Sequence, residues 1–143
     1  MPDQLKQFTY DQLLIGQKAE FDFLINGEVI ADFVKLSGDA NPIHTDPEYA
    51  SETKFKYPVA HGMIAGMLFS RLIGMELPGK YSLYLSQSLN FHRPMLSGQQ
   101  ILVSGIILHK NDAFHTIALS TKIIDKSSED LLVDGQALIR VLK

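Results

Sequence analysis

The chain has 143 residues, of which 45% are hydrophobic and 20% charged, with a formal net charge of -3; that is the size and balance of one globular domain with a real core, and it excludes wholesale disorder. It contains no cysteine, which excludes disulfide scaffolds, thiolate metal sites and cysteine nucleophiles together. The slight acidity comes without a basic run, so nucleic acid is not an expected partner, and no apolar run approaches the ~20 residues of a membrane span, so no membrane partner is expected either.

The opening residues 1–14 are polar and mixed, without the basic start and apolar stretch of a signal peptide. The cytoplasm is therefore the expected address. Over residues 17–25 the side chains of Ala19, Phe21, Phe23 and Ile25 alternate with Lys18, Glu20 and Asp22, the period-two pattern of a half-buried strand. Asn26 is a good helix N-cap, and Val29, Ile30, Phe33 and Val34 then recur at helical spacing until Ser37 and Gly38, predicting a short amphipathic helix. Residues 38–44 have loop chemistry, with Gly38, Asp39, Asn41 and Pro42 all favouring turns. Asp46 and Pro47 read as the N-cap and first position of a second short helix through about Thr53.

Residues 61–75 form the most apolar helical segment, with Met63, Ile64, Met67, Leu68 and Leu72 expected on one broad buried face. Pro78 and Gly79 close it. Four strands are predicted after that, over residues 81–91, 101–110, 114–125 and 131–142, separated by turn-forming stretches. Short connections between these four favour antiparallel neighbours. The expected fold is α+β, one antiparallel sheet packed on the buried helix.

Two ionisable side chains ride on the 38–44 loop. Asp39 and His44 are five residues apart on a backbone stiffened by Pro42, with Asn41 available to pin the turn. A carboxylate and an imidazole aimed at one point suit acid-base work around neutral pH. The spacing by itself is weak evidence and reads first as a helix cap and an ordinary surface or structural histidine.

The wider sequence resembles a known family, the MaoC-like or R-specific enoyl-CoA hydratases of the hot-dog fold. The resemblance is carried by Phe33, Leu36-Ser37-Gly38-Asp39, Asn41-Pro42-Ile43-His44 and Asp46-Pro47, which match the hydratase 2 motif. A second block, Pro58-Val59-Ala60-His61-Gly62-Met63 followed by Ser70, Leu72, Gly74 and Leu77-Pro78-Gly79, is similar to short bacterial R-hydratases that feed polyhydroxyalkanoate synthesis. A third runs from Tyr84 to Phe91 with Pro94. The family's fold implies a single MaoC-like hot-dog domain over residues 1–143, its antiparallel sheet wrapped around a long central helix.

The resemblance implies that Asp39 acts as general base toward one water and His44 as proton donor toward the substrate α-carbon, adding water to a trans-2-enoyl-CoA to give an R-3-hydroxyacyl-CoA. It implies that Gly62 offers its backbone N–H to the thioester oxygen, which the positive end of a helix would favour. Asn41 is implied to hold the Asp39 loop, and Ser70 and Ile73 to line the acyl pocket or support the site. For Ser70 a bond back to the helix backbone, and for Ile73 plain core packing, are equally open. His61 reads as structural, fixing the loop or capping the helix before Gly62. His92 and Arg93 are candidates for contact with CoA phosphates or for a solvated strand end, and His109 and His115 have no expected role. The five histidines have no metal-ligand spacing, so no metal is expected, and no cofactor either.

A single unit with an intact motif implies a symmetric homodimer with two sites, which would also cover a sheet edge. Gly98-Gln99 stands where many relatives carry Gly-Asp. The alternatives are a hot-dog 3-hydroxyacyl carrier protein dehydratase or thioesterase, or a non-catalytic acyl-CoA-binding module. The first pair normally carries its acid-base residues elsewhere, and the last requires a damaged site.

Overall fold

A computed structural model describes residues 4–143. After a 3-10 turn at Tyr10–Gln12 the chain forms β1 (Lys18–Leu24), α1 (Gly27–Ser37), the single turn α2 (Pro42–Thr45), α3 (Pro47–Glu52) and α4 (Ile64–Arg71). Strands β2 (Ser82–Gln87), β3 (Asn90–Phe91), β4 (Gln100–Asn111), β5 (Thr116–Asp125) and β6 (Leu131–Val141) complete it. The alternation in β1 places Ala19, Phe21 and Phe23 on the less exposed face. Asn26 caps α1 by accepting from the Val29 N–H, and Asp46 caps α3 by accepting from the Glu48 and Tyr49 N–H groups, as side-chain oxygens do at helix starts.

All strands are antiparallel, in the order β1-β4-β5-β6-β2, with β3 pairing farther along β6. This is the α+β arrangement expected from the sequence, with one difference of connection. The segment 81–91 is split into β2 and the short β3, and both lie against β6, the last strand, not against β4, the next long strand in sequence. The stretch 92–99 carries the chain from one end of the sheet to the other: the His92 N–H donates to the Leu132 carbonyl, Ala60 N–H to Met95, and Gly98 N–H to Ile25. Those bonds satisfy its backbone along the way, so the crossing leaves β4 free to pair with β1 and β5.

The helix differs in rotation. Its buried face is Ile64, Ala65, Leu68, Phe69 and Leu72, whereas Met63 and Met67, expected inside, are exposed. The helix begins at Ile64, and its inward stripe follows 64, 68 and 72, one residue past the methionines. Beyond Arg71 it widens into a π-helical turn at Leu72–Glu76. Phe69 and Leu72 pack with Ile101, Val103 and Ile123 in one buried cluster, while Ile73 and Leu77 join Tyr10, Leu13, Ile107 and Ile139 in a second. Each fully buried side chain of this kind contributes roughly 1.5–3 kcal/mol of transfer free energy. Together the clusters hold the sheet on the helix.

Candidate active site

The segment after α1 is a chain of local hydrogen bonds. The Asp39 N–H donates to Ser37 Oγ (3.1 Å), the Asn41 N–H donates to Asp39 Oδ1 (3.2 Å), and the Ile43 N–H donates to Asn41 Oδ1 (3.1 Å). Asn41 is thus both a tether for the Asp39 carboxylate and the N-cap of α2. Pro42 opens that turn, where its fixed φ is preorganised and its missing N–H costs nothing. So the stretch read as a loop to His44 is a loop only to Asn41, and His44 rides on a helical turn.

That turn brings His44 Nε2 to 3.8 Å from Asp39 Oδ2. The gap is too long for a direct hydrogen bond and short enough for one water to touch both. The Nδ1 atom of His44 is bonded to the Val59 carbonyl. A carbonyl only accepts, so Nδ1 carries the proton and the charge of this ring is decided at Nε2 alone. Val59 is held in turn, its N–H donating to the Ile43 carbonyl.

His61 lies behind the pair, its Nε2 2.8 Å from the Asp39 backbone oxygen and its ring stacked on His44 with centroids 3.8 Å apart. The three side chains differ in exposure: Asp39 is 52% exposed, His44 15% and His61 3%. Their donor atoms all lie within 4.8 Å of one another. As a metal ligand set they fit poorly, because His61 Nε2 donates to the Asp39 carbonyl and so offers no lone pair there.

His44 and Gly62 line one cavity of about 300 Å³, together with Phe91, Met95 and Val133. Gly62 sits in the turn that leads into α4, its carbonyl accepting from the Ala65 N–H. The ring of Phe91 lies against it. A Cβ at Gly62 would stand 3.0 Å from Phe91 Cε1, so a larger residue here would crowd this ring in its observed position.

At the rim, His92 Nε2 is 3.0 Å from Asp134 Oδ1 and Arg93 bonds Asp130 at 3.1 Å. The His92 bond, aided by Asn90, holds the Asp134 carboxyl below the usual carboxylate range. Ser70 is on the exposed side of α4, and Ile73 is fully buried in the second core cluster. Neither lines the cavity of His44 and Gly62. His115 stacks on Tyr10 with centroids 4.5 Å apart.

The structural role expected of His61 is met by its bond to the Asp39 carbonyl, although nothing in residues 38–44 announces that partner. Nothing around Phe91 announces that it covers Gly62. Among the described residues no helix is long and apolar enough to cross a membrane.

The chain matches the MaoC like domain over residues 12–128. It is 36% identical to an (R)-specific enoyl-CoA hydratase of Aeromonas caviae, covering 90% of this chain and 96% of that protein. A mitochondrial 3-hydroxyacyl-[acyl-carrier-protein] dehydratase of Arabidopsis thaliana is 33% identical over 87% of this chain and 75% of its own length. Among solved structures, the unliganded R-hydratase of Pseudomonas aeruginosa superposes with a TM-score of 0.94 at 35% identity, covering 99% of this chain and 90% of that one.

Proposed function

Because the chain belongs to the MaoC-like domain family, we propose that it is an R-specific enoyl-CoA hydratase, a hydro-lyase that adds water to trans-2-enoyl-CoA. The observation that carries the mechanism is the 3.8 Å gap between Asp39 Oδ2 and His44 Nε2, beside a cavity that Gly62 shares. One water in that gap donates to the Asp39 carboxylate. As its oxygen bonds C3, Asp39 takes a proton, and His44, protonated at Nε2, gives one to C2. The pair is reset when the proton passes from Asp39 to His44 through the next water, so the net change is one water added across the double bond.

Charge builds on the thioester oxygen during addition. The N–H of Gly62 is the donor proposed to meet it, two residues ahead of Ile64 and so near the helix end whose dipole favours an anion. Asn41 keeps the carboxylate from swinging away.

We also propose that two copies pair through β2. That strand ends the sheet, and Leu83 and Leu85 on it are exposed, as are Met67 on α4 and Met63 just ahead of it. Pairing would cover an open edge and this apolar surface in one step. In this reading the acyl chain runs along the exposed side of α4 past Ser70, with Ile73 buried behind it, and the second copy roofs the passage.

Hydration of crotonyl-CoA, followed by loss of the enoyl-thioester absorbance with chiral analysis of the product, tests the proposal. R-3-hydroxybutyryl-CoA is the expected product. Turnover only of the corresponding carrier-protein thioester would support the dehydratase reading instead, which the 33% identity to a carrier-protein dehydratase keeps in view.

A further inference from the structure

His61 makes no proposed contact with substrate, yet it touches both residues that do. Its ring is packed between Phe33, centroids 4.6 Å apart, and His44, centroids 3.8 Å apart. It is almost wholly buried. The partner of Nε2 is the Asp39 carbonyl, an acceptor only, so Nε2 bears the hydrogen; the Asp39 carboxylate faces the same nitrogen at 3.9 Å, beyond hydrogen-bond reach. Nδ1 is buried and, among the described residues, has no hydrogen-bond partner. A proton there would add an orphaned donor, at a cost of about 1–3 kcal/mol, and a buried charge besides. Both nitrogens therefore indicate a neutral ring in the Nε2–H form.

Resting on the Asp39–His44 reading above, we infer that His61 is a positioning residue: a buried neutral imidazole that ties the Asp39 backbone by one hydrogen bond and the His44 ring by stacking, and so sets the gap that holds the water. Histidine suits the place because one flat ring supplies both the stacking face and the edge donor. Phenylalanine supplies only the first and glutamine only the second. Neutrality matters as well, since a second imidazolium stacked on His44 would oppose the charge that His44 carries when it delivers its proton.

The test begins with the uncharged state itself. In ¹⁵N-labelled protein near pH 7, long-range ¹⁵N–¹H spectra are expected to show His61 in the Nε2–H form. This readout needs no substrate, so it stands even if crotonyl-CoA is not hydrated by the wild type, a result that would remove the functional reading instead. Where the wild type is active, His61→Phe is expected to lower kcat by ~10- to 10²-fold, the scale of a small misplacement of reacting groups, with KM changed less than about twofold. His61→Gln is expected to recover part of that loss.

The decisive comparison uses Asp39→Asn as background. If His61 acts through Asp39 and His44, His61→Phe then costs less than about twofold more, because the geometry it maintains no longer serves a carboxylate. An equal loss in both backgrounds would mark a merely structural role and overturn the inference. So would wild-type kcat in His61→Phe, or a His61 ring protonated at Nδ1. Should His61→Phe fail to fold, the spectrum and His61→Gln decide: an Nδ1–H ring, or a His61→Gln variant no better than Asp39→Asn, overturns it.

Discussion

Phe91 packs so closely on Gly62 that a methyl group on that glycine would approach its ring carbons to 3.0–3.3 Å. The ring is 55% exposed, so it has room to swing outward. Gly62→Ala is therefore expected to leave thermal stability close to wild type, the ring moving outward while the added methyl itself intrudes on the cavity that Gly62 shares with His44. The expected loss is at least ~10-fold in kcat/KM for crotonyl-CoA, below the full cost of removing an oxyanion donor because the N–H itself remains. Unchanged kcat/KM, with folding intact, would remove Gly62 from the proposed thioester contact.

Asp39→Asn removes the base while keeping an oxygen where Asn41 donates. Hydration is expected to fall by at least ~10²-fold with the fold retained, and His44→Ala to behave similarly. Because both hold one water, the double variant should fall far short of the product of the two losses. Steady-state kinetics on the three variants checks this, and a multiplicative double loss would mean that the two act on separate steps.

Leu83 and Leu85 project from the strand at the end of the sheet. Replacing both with lysine places charges on that edge, a device that blocks strand pairing. The double variant is expected to run as a monomer in size-exclusion chromatography with light scattering, against a dimeric wild type, and to lose hydration. A wild type that is itself monomeric at micromolar concentration and fully active would sink the pairing proposal.

Asp125 sits near the sheet end and accepts from Ser127 Oγ at 2.8 Å and from the Ser127 and Ser128 N–H groups. The Ser127 hydroxyl first, against the opposing effect of burial, and then these N–H groups hold its carboxyl below the ordinary carboxylate range. A depressed value in the folded state means stability that is present above the unfolded value near ~3.9 and lost as pH falls through the lower folded one. Asp125→Asn should be less stable than wild type in urea at neutral pH, with the difference shrinking in acid. A difference that grows in acid would contradict the sign.

The Asp39–His44 loop was legible in the sequence because its geometry is local. Turn-forming side chains bond backbone groups two or three residues away, so Ser37, Asn41, Pro42 and Asp46 shape the loop and the turn that carry Asp39 and His44, while the Val59 carbonyl and the His61 ring, both distant in sequence, fix how the two side chains face each other. Strand alternation in β1 and capping at Asn26 and Asp46 were legible for the same reason. Tertiary structure decided what periodicity leaves open. The apolar stripes 63-67 and 64-68-72 on α4 differ by a small rotation, and only packing against Ile101, Val103 and Ile123 chose the second, leaving Met63 and Met67 outside. The placement of β2 against β6 depended on bonds that residues 92–99 make along their crossing. Most consequentially, His61 is 22 residues from Asp39 in the chain and Phe91 is 29 from Gly62; such contacts are created by the way the sheet closes on the helix, and no short-range pattern encodes them.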